Sequence, residues 1–472
     1  MKKTIIKIGF CPTRRDVFSR EAAIQYGKDL REYMNKFDIE IVDLKGINDE
    51  ELLFEHSDLE AVIQRFKDAK VDAMFFPHCN FGSESLVALV AKAIGKPVLI
   101  WGPRDDAPLE SGLRTRDSQC GMFATGKVLR RHNVPFTYLT NSWFGSKEFD
   151  EGFERFLAVA CVIKSVTNLR ILQISTRPEP FASVICNENE LLERFGIQLL
   201  PITLTELEQE MNFIKAKGGK DFDEQVNFVK ENISKDSPIE QIQTAVAMKM
   251  AVKNWCDKLY CGAAAIQCWN ALQDITGIMP CLANALLADE GLPVACETDI
   301  HGAISAVMLQ AAAMNEKAQF FADITVRHPE DDNAELFWHC GPFPYSLAKD
   351  KNEAQAAGHW VLPSHAFGTC EWEIKGGDIT VCRLDGDHGK YSIFIGEGVG
   401  TDGPKTRGTY VWLKVKNWPK WERKIVEGPY IHHVTGIHGK YGEILMEACK
   451  YMNGLEPDPV EPSLEELKER WG

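Results

Sequence analysis

The sequence predicts an α/β protein built from two successive sheets of parallel strands wound by helices, followed by an antiparallel β domain. Three observations predict it. Short β-rich runs alternate with helix-periodic segments through the first third of the chain. The same rhythm restarts after a helix near 150–165, and from about residue 320 the texture changes to strands joined by Gly-Asp, Gly-Gly and Asp-Gly turns. Parallel strands need helix-length crossovers, so this alternation reads as doubly wound, Rossmann-like sheets. A chain of 472 residues also exceeds one hydrophobic core. The expected domains are 1–167, 168–320 and 321–472.

Each element follows in order. TIIKIGF, IEIVDL, VDAMFFP, PVLIWG and VPFTYLT read as strands of the first sheet, with REAAIQYGKDLREYMNKF, SDLEAVIQRFKDA and SLVALVAKAIG as helices between them. LRILQIS, IQLLPIT, YCGAAAIQCW and LPVACE read as the second sheet. A long helix lies around 239–258, and AISAVMLQAAAM forms another after LPVACE. AELFWHC, TCEWEIKG, DITVCRLDG, KYSIFIGEG and GTYVWLKV then read as an antiparallel, barrel-like domain. YGEILMEACKYMNGL closes as a helix, and the last dozen residues read as a charged tail.

Composition narrows the function. A net charge of −15 argues against nucleic acid as the main partner, because phosphate recognition needs a basic face. No apolar run has the length of a membrane span. The start, MKKTIIKIGFCPTRRD, is too short and too broken in its apolar part for a signal peptide. Cys161, Cys261 and Cys296 sit inside apolar segments and read as small buried hydrophobes. With no zinc-type CxxC pair and no export signal, the thiols are expected to stay reduced. A cytoplasmic enzyme is the expectation.

Open parallel sheets place working residues beyond the carboxyl ends of their strands. Here those ends carry Arg14 and Arg15, His78 and Asn80, Gln267 and Trp269, and Glu297. Glu297 is followed by Asp323 in FFADITV, by Trp338 and His339 in LFWHC, and by His432-His433 near the chain end. Two carboxylates with one or two imidazoles and no thiolate suit Mn²⁺ or a first-row neighbour, and such a site favours enolisation beside a carbonyl. Each residue also has a plainer explanation. Thr298 or Asp299 can cap the following helix, and Glu297 can pair with His301 one turn on. Asp323 can be an ordinary strand-end carboxylate, His339 a satisfied core histidine, His432-His433 part of a region of turns, and Arg14-Arg15 a solvated pair.

In this order the residues resemble the superfamily of L-fucose and L-arabinose isomerases, metal-dependent aldose–ketose isomerases that also include bacterial sulfoquinovose isomerases. The resemblance implies Glu297, Asp323 and His433 as metal ligands, with His339 as a fourth. It implies Mn²⁺, or else Co²⁺ or Mg²⁺, and an enediol proton transfer with Glu297 and Asp323 as base and acid. Arg14, Arg15, His78, Asn80, Gln267, Trp269, His301 and Trp338 are the expected substrate contacts. The sugar is either neutral, of the L-fucose or D-arabinose type, or sulfonated. A buried sulfonate needs a cationic cradle, for which Arg14 and Arg15 are the candidates. The resemblance also implies a homo-oligomer with active sites at subunit interfaces. The alternative is a catalytically silent sugar-binding or regulatory protein of the same fold.

Overall fold

The run Ala73–Pro77 is buried at every position, as a strand covered by helices on both faces must be. It is β3 of a five-stranded parallel sheet completed by β1 (Ile6–Phe10), β2 (Ile39–Val42), β4 (Val98–Trp101) and β5 (Thr137–Leu139). The order is β2-β1-β3-β4-β5, so the chain changes direction between β1 and β3. That switch point brings together the loops after β1 and β3, where Arg14, Arg15, His78 and Asn80 lie.

In the structure, a computed structural model describing residues 1–362 and 365–472, this sheet belongs to one of two compact units, Thr4–Lys164 with Lys468–Gly472. The other unit, Met1–Lys3 with Ser165–Leu467, holds a second parallel sheet and a barrel. The second sheet consists of β6 (Arg170–Ile174), β7 (Gln198–Ile202), β8 (Ala263–Ile266) and β9 (Val294–Ala295), in the order β7-β6-β8-β9. The strand expected from LPVACE is only two residues long. It stops because Glu297 and Thr298 take left-handed backbone, with φ of 53° and 56°.

The barrel begins with β10 (Phe320–Arg327) and β11 (Ala334–His339), followed by β12 (Gln355–Gly358) and β13 (Phe367–Glu373). β14 (Gly377–Asp387), β15 (Lys390–Thr401), β16 (Thr409–Lys414), β17 (His433–His438) and β18 (Leu455–Glu461) complete it. Six antiparallel strands form a ring, β16-β11-β10-β17-β14-β15, which closes through Val399↔Lys414, Gly400↔Leu413 and Thr401↔Trp412. One apolar core runs from Leu172 and Ile174 of the second sheet through the helix Ile239–Leu259 to Val381, Phe394 and Val434 of the barrel.

Two readings of the C-terminal part need correction. His433 was expected in a region of turns but opens a strand, in register with Asp323 of β10. The last dozen residues are not a tail: Leu464–Trp471 is a helix, and Leu467 and Trp471 are buried. Its start has reciprocal capping bonds, Ser463 N–H to Glu466 Oε2 at 2.7 Å and Glu466 N–H to Ser463 Oγ at 3.3 Å. Leu464, Leu467 and Trp471 share one face at helical spacing, an apolar stripe easily hidden among the five charged residues of such a short helix. Among the described residues no helix is long and apolar enough to cross a membrane.

Candidate metal centre

The left-handed turn after β9 decides where Glu297 points. Non-glycine residues seldom adopt this conformation, and two in succession persist only where their surroundings hold them. Cys268, just beyond β8, supplies one restraint. Its thiol donates to Glu297 Oε1 at 3.1 Å, and its sulfur accepts the Glu297 backbone N–H at 3.3 Å. Asp299 supplies another as N-cap of the helix Ile300–Ala312, accepting the Gly302 N–H at 2.9 Å. Position 302 has to be glycine, because a Cβ there would lie 2.5 Å from the Phe321 ring and 2.7 Å from Asp299 Oδ2.

With Oε1 held by Cys268, Glu297 Oε2 is left buried and without a hydrogen-bond partner. Asp323 Oδ1 and His339 Nε2 are in the same state. These orphaned atoms converge. His339 Nε2 lies 3.7 Å from Glu297 Oε2 and 3.9 Å from Asp323 Oδ1. His433 Nε2 lies 3.8 Å and 3.4 Å from the same two oxygens. The barrel register makes this possible, since Asp323 sits opposite both Trp338 and His433 on its neighbouring strands. Of the late histidine pair only His433 is buried, while His432 is exposed. Phe321, two residues before Asp323, packs against both inward rings, at 5.1 Å from His433 and 5.8 Å from His339.

Behind His433 runs a chain of charge. His433 Nδ1 meets Asp299 Oδ2 at 2.8 Å, and Arg383 Nη1 donates to that oxygen at 2.6 Å. Arg383 Nε donates to Asp385 Oδ2 at 2.6 Å, and Asp385 Oδ1 meets His301 Nδ1 at 2.9 Å. Burial opposes charge on Asp299, but Arg383 and His433 bring its carboxyl far below the ordinary value. Asp299 is therefore an acceptor, so His433 carries a proton on Nδ1 and turns Nε2 toward the two carboxylates, where the neutral ring can offer its lone pair to a cation. Burial likewise opposes charge within the cluster. The His339 and His433 rings nonetheless lower Glu297, and the carboxylates around the rings raise both imidazoles. Carboxylates that favour positive charge on the rings beside them favour a cation in the same place.

The donor set can hold a divalent cation. Bonds of about 2.1 Å to a central ion put neighbouring donor atoms roughly 3–3.5 Å apart, close to the observed spacing. Two carboxylate oxygens with imidazole nitrogen form a hard-to-borderline set of the kind that suits first-row ions and Mg²⁺. Asp323, His432 and His433 also offer donor atoms within 4.8 Å of one another, as do Cys268, Cys296 and Glu297. Burial raises the Cys268 thiol well above its ordinary value and keeps it a hydrogen-bond donor to Glu297.

Comparison with known proteins bears on this arrangement. Residues 9–167 match the N-terminal domain of the fucose/sulfoquinovose isomerases, and residues 337–455 match the C-terminal domain of L-fucose isomerase. The chain belongs to the L-fucose isomerase superfamily. It is 25% identical over 456 residues to a sulfoquinovose isomerase from Priestia aryabhattai, covering 94% of this chain and 97% of that protein. It is 26% identical over 413 residues to a sulfoquinovose isomerase from Alkalicoccus urumqiensis, covering 85% and 89% of the two chains. A solute-binding protein from Actinobacillus succinogenes with bound D-allose is similar at 13% identity and a TM-score of 0.18, covering 66% of this chain and 92% of that one, too slight a likeness to bear on function. As a member of the L-fucose isomerase superfamily, the protein is an aldose–ketose isomerase acting on a sugar.

The other residues expected in a fucose-isomerase-like site have varied surroundings. His78 is wholly buried, with Nε2 at 2.8 Å from Thr125 Oγ1 and Nδ1 at 3.3 Å from the Trp101 carbonyl, so neither ring nitrogen is free. Burial lowers its pKa to about 4. Asn80 ties down the loop after β1, accepting the Arg15 N–H at 2.7 Å and donating to the Arg15 carbonyl at 3.1 Å. Arg14 is buried between Glu50 and Asp16 and stacks on Phe54 at 3.6 Å. Arg15 is more open, with Glu84 at 3.2 Å and the Phe81 ring at 4.2 Å. Gln267 Oε1 accepts from Ser175 at 2.9 Å.

Trp269 and Trp338 belong to an aromatic row. Trp269 meets Phe181 and His359, His359 stacks on Trp360, and Trp338 meets Trp360 and stacks beside His339. His301 faces Asp385 rather than Glu297. Sequence reasoning missed Cys268, Arg383 and Asp385 as parts of the centre. Arg383 had one visible signal, a cation inside the apolar strand DITVCRLDG.

Proposed function

We propose that the protein converts sulfoquinovose to its 2-ketose, 6-deoxy-6-sulfofructose, in the cytoplasm, with Mn²⁺ held by Glu297, Asp323 and His433. The observation that carries the metal reading is the convergence of buried, partnerless Glu297 Oε2 and Asp323 Oδ1 on His433 Nε2. The relatives carry the substrate reading, since those that match along most of this chain are sulfoquinovose isomerases. When bound, the cation supplies Lewis acidity toward the carbonyl and neighbouring hydroxyl oxygens of an open-chain sugar. Glu297 and Asp323 move the proton between C1 and C2, one as base and the other as acid. The aromatic row from Trp338 to Trp269 shields the sugar from water. Asp299 fixes the His433 ring, and Cys268 fixes one Glu297 oxygen so that the other stays available.

In this reading the protein is a homo-oligomer, and the loop 13–16 reaches the metal site of a neighbouring subunit. Arg15 then meets the sulfonate, because its guanidinium has open donors. A second reading, a neutral sugar of the L-fucose or D-arabinose type, gains support from Arg14, whose charge is answered by Glu50 and Asp16. One experiment separates them: chelate the protein, restore Mn²⁺, and assay ketose formation over a panel of aldoses that includes sulfoquinovose. Turnover confined to a neutral aldose rejects the sulfosugar reading, and full turnover in protein shown to be metal-free rejects the metal.

A further inference from the structure

His339 and His433 approach the same two carboxylates, but their other nitrogens face opposite partners. His433 Nδ1 faces Asp299, an acceptor, at 2.8 Å. His339 Nδ1 faces the backbone N–H of Cys340, a donor, also at 2.8 Å. A proton on His339 Nδ1 would set two N–H groups against each other in a buried site, a repulsive contact in a low-dielectric setting. The second nitrogen of an imidazole fixes the role of the first. The His339 proton therefore sits on Nε2, the atom 3.7 Å from Glu297 Oε2 and 3.9 Å from Asp323 Oδ1 with no hydrogen-bond partner. A nitrogen that carries a proton has no lone pair for a metal.

We propose that His339 is a hydrogen-bond donor to the reacting oxygens of the sugar and not a fourth metal ligand. The proposal rests on the metal reading above and deepens it. His339 Nε2–H lies beside the proposed acid and base, where negative charge develops as the enediol forms. Donors placed at such a position stabilise the transition state more than the ground state. The Cys340 N–H bond to Nδ1 fixes the orientation of the ring, and Trp338, its Nε1–H bonded to the Arg407 carbonyl, lies parallel to it with the centroids 6.3 Å apart.

The test compares His339→Leu, His339→Gln, His433→Leu and Glu297→Gln by titrating each with Mn²⁺ and following free Mn²⁺ by electron paramagnetic resonance. His339→Leu is expected to bind Mn²⁺ within about threefold of the wild type. Its kcat should fall about 100- to 1000-fold, the scale of losing one oxyanion donor. His339→Gln restores an N–H near the former Nε2 and should recover part of kcat at unchanged Mn²⁺ affinity. His433→Leu should lose affinity by tenfold or more. Equal loss of affinity in His339→Leu and His433→Leu overturns the proposal.

A measurement on the unmodified holoenzyme needs no variant to fold: pulsed electron paramagnetic resonance of bound Mn²⁺ should count one coordinated imidazole nitrogen, and two would overturn it. Failure of the metal reading looks different. Wild type and Glu297→Gln would then bind Mn²⁺ equally, or neither would bind it, and the His339 proposal would fall with it.

Discussion

At the scale of single residues, Glu297 is the most constrained group of the centre. One oxygen is tied to Cys268, the backbone is left-handed, and the free oxygen has only the cluster to face. Glu297→Gln should lower turnover by at least about 1000-fold while circular dichroism and the melting profile stay near those of the wild type. Asp299→Asn replaces one acceptor by a donor in front of His433 and leaves Arg383 with less countercharge. Changes of this kind behind a metal-binding histidine typically cost about 10- to 100-fold in affinity. A Mn²⁺ titration of folded Asp299→Asn should show that loss, and unchanged affinity would remove Asp299 from its orienting role. Glu297 and Asp323 stood out in the sequence as carboxylates that interrupt apolar runs, whereas His433, in a stretch that reads as turns, was reached only through the family resemblance. Cys268 did not stand out, since a cysteine in an apolar segment reads as a small hydrophobe. Arg383 and Asp299 meet only through the fold, with 84 positions of chain between them.

At the scale of elements, the centre depends on the register between β10 and β17, which pairs Asp323 with His433 and Phe320 with Gly436. A Cβ at position 436 would lie 2.2 Å from the wholly buried Phe320 ring. Gly436→Ala should therefore destabilise the protein by about 1–3 kcal/mol through overpacking and weaken Mn²⁺ binding, because the same strand carries His433. Chemical denaturation and metal titration of one sample check both effects. Strand β11 carries a second test. Burial raises Glu335 to about 7 against the pull of Arg327, with some help from Glu422.

A raised carboxyl binds its proton in the folded state first, so stability falls as pH rises from the ordinary carboxyl range to about 7, and levels off above that. Glu335→Gln should be close to neutral at pH 4 and more stable than the wild type by about 1–3 kcal/mol at pH 8. Melting curves at both pH values test this, and a gain of equal size at each would exclude Glu335 as the titrating group. The alternation of strands and helices was readable from periodicity. Closure of the ring through β15 and β16 was not, because no local pattern specifies which strands pair. HHVTGIHG looked like turns since its apolar alternation is weak and its glycines fit close packing rather than bends.

At the scale of the whole molecule, a cation held only by the folded state must stabilise it. Mn²⁺ at 100 times its dissociation constant should add about 2.7 kcal/mol to unfolding. Thermal melts with and without the ion should show the shift in wild type and lose it in Glu297→Gln. A shift that survives in the variant would place the stabilising ion elsewhere. The two α/β sheets and the barrel were expected from sequence in this order. What could not be read was that the second sheet and the barrel share one continuous core, since shared burial involves faces brought together only by folding. The helix Leu464–Trp471 shows the same limit, its apolar face being too short to stand out from its charged neighbours.

The closed ring has one more consequence, in hydrogen exchange. β10 and β17 each have a paired strand on both sides, so neither can peel away as an edge strand does. Backbone amides next to Asp323 and within β17 should then exchange with solvent only when the unit as a whole opens, not through local fraying. The chemistry would be lost in the same event as the fold. On slow heating, activity and barrel amide protection should disappear together, whereas an enzyme with its ligands on peripheral loops would be inactivated first.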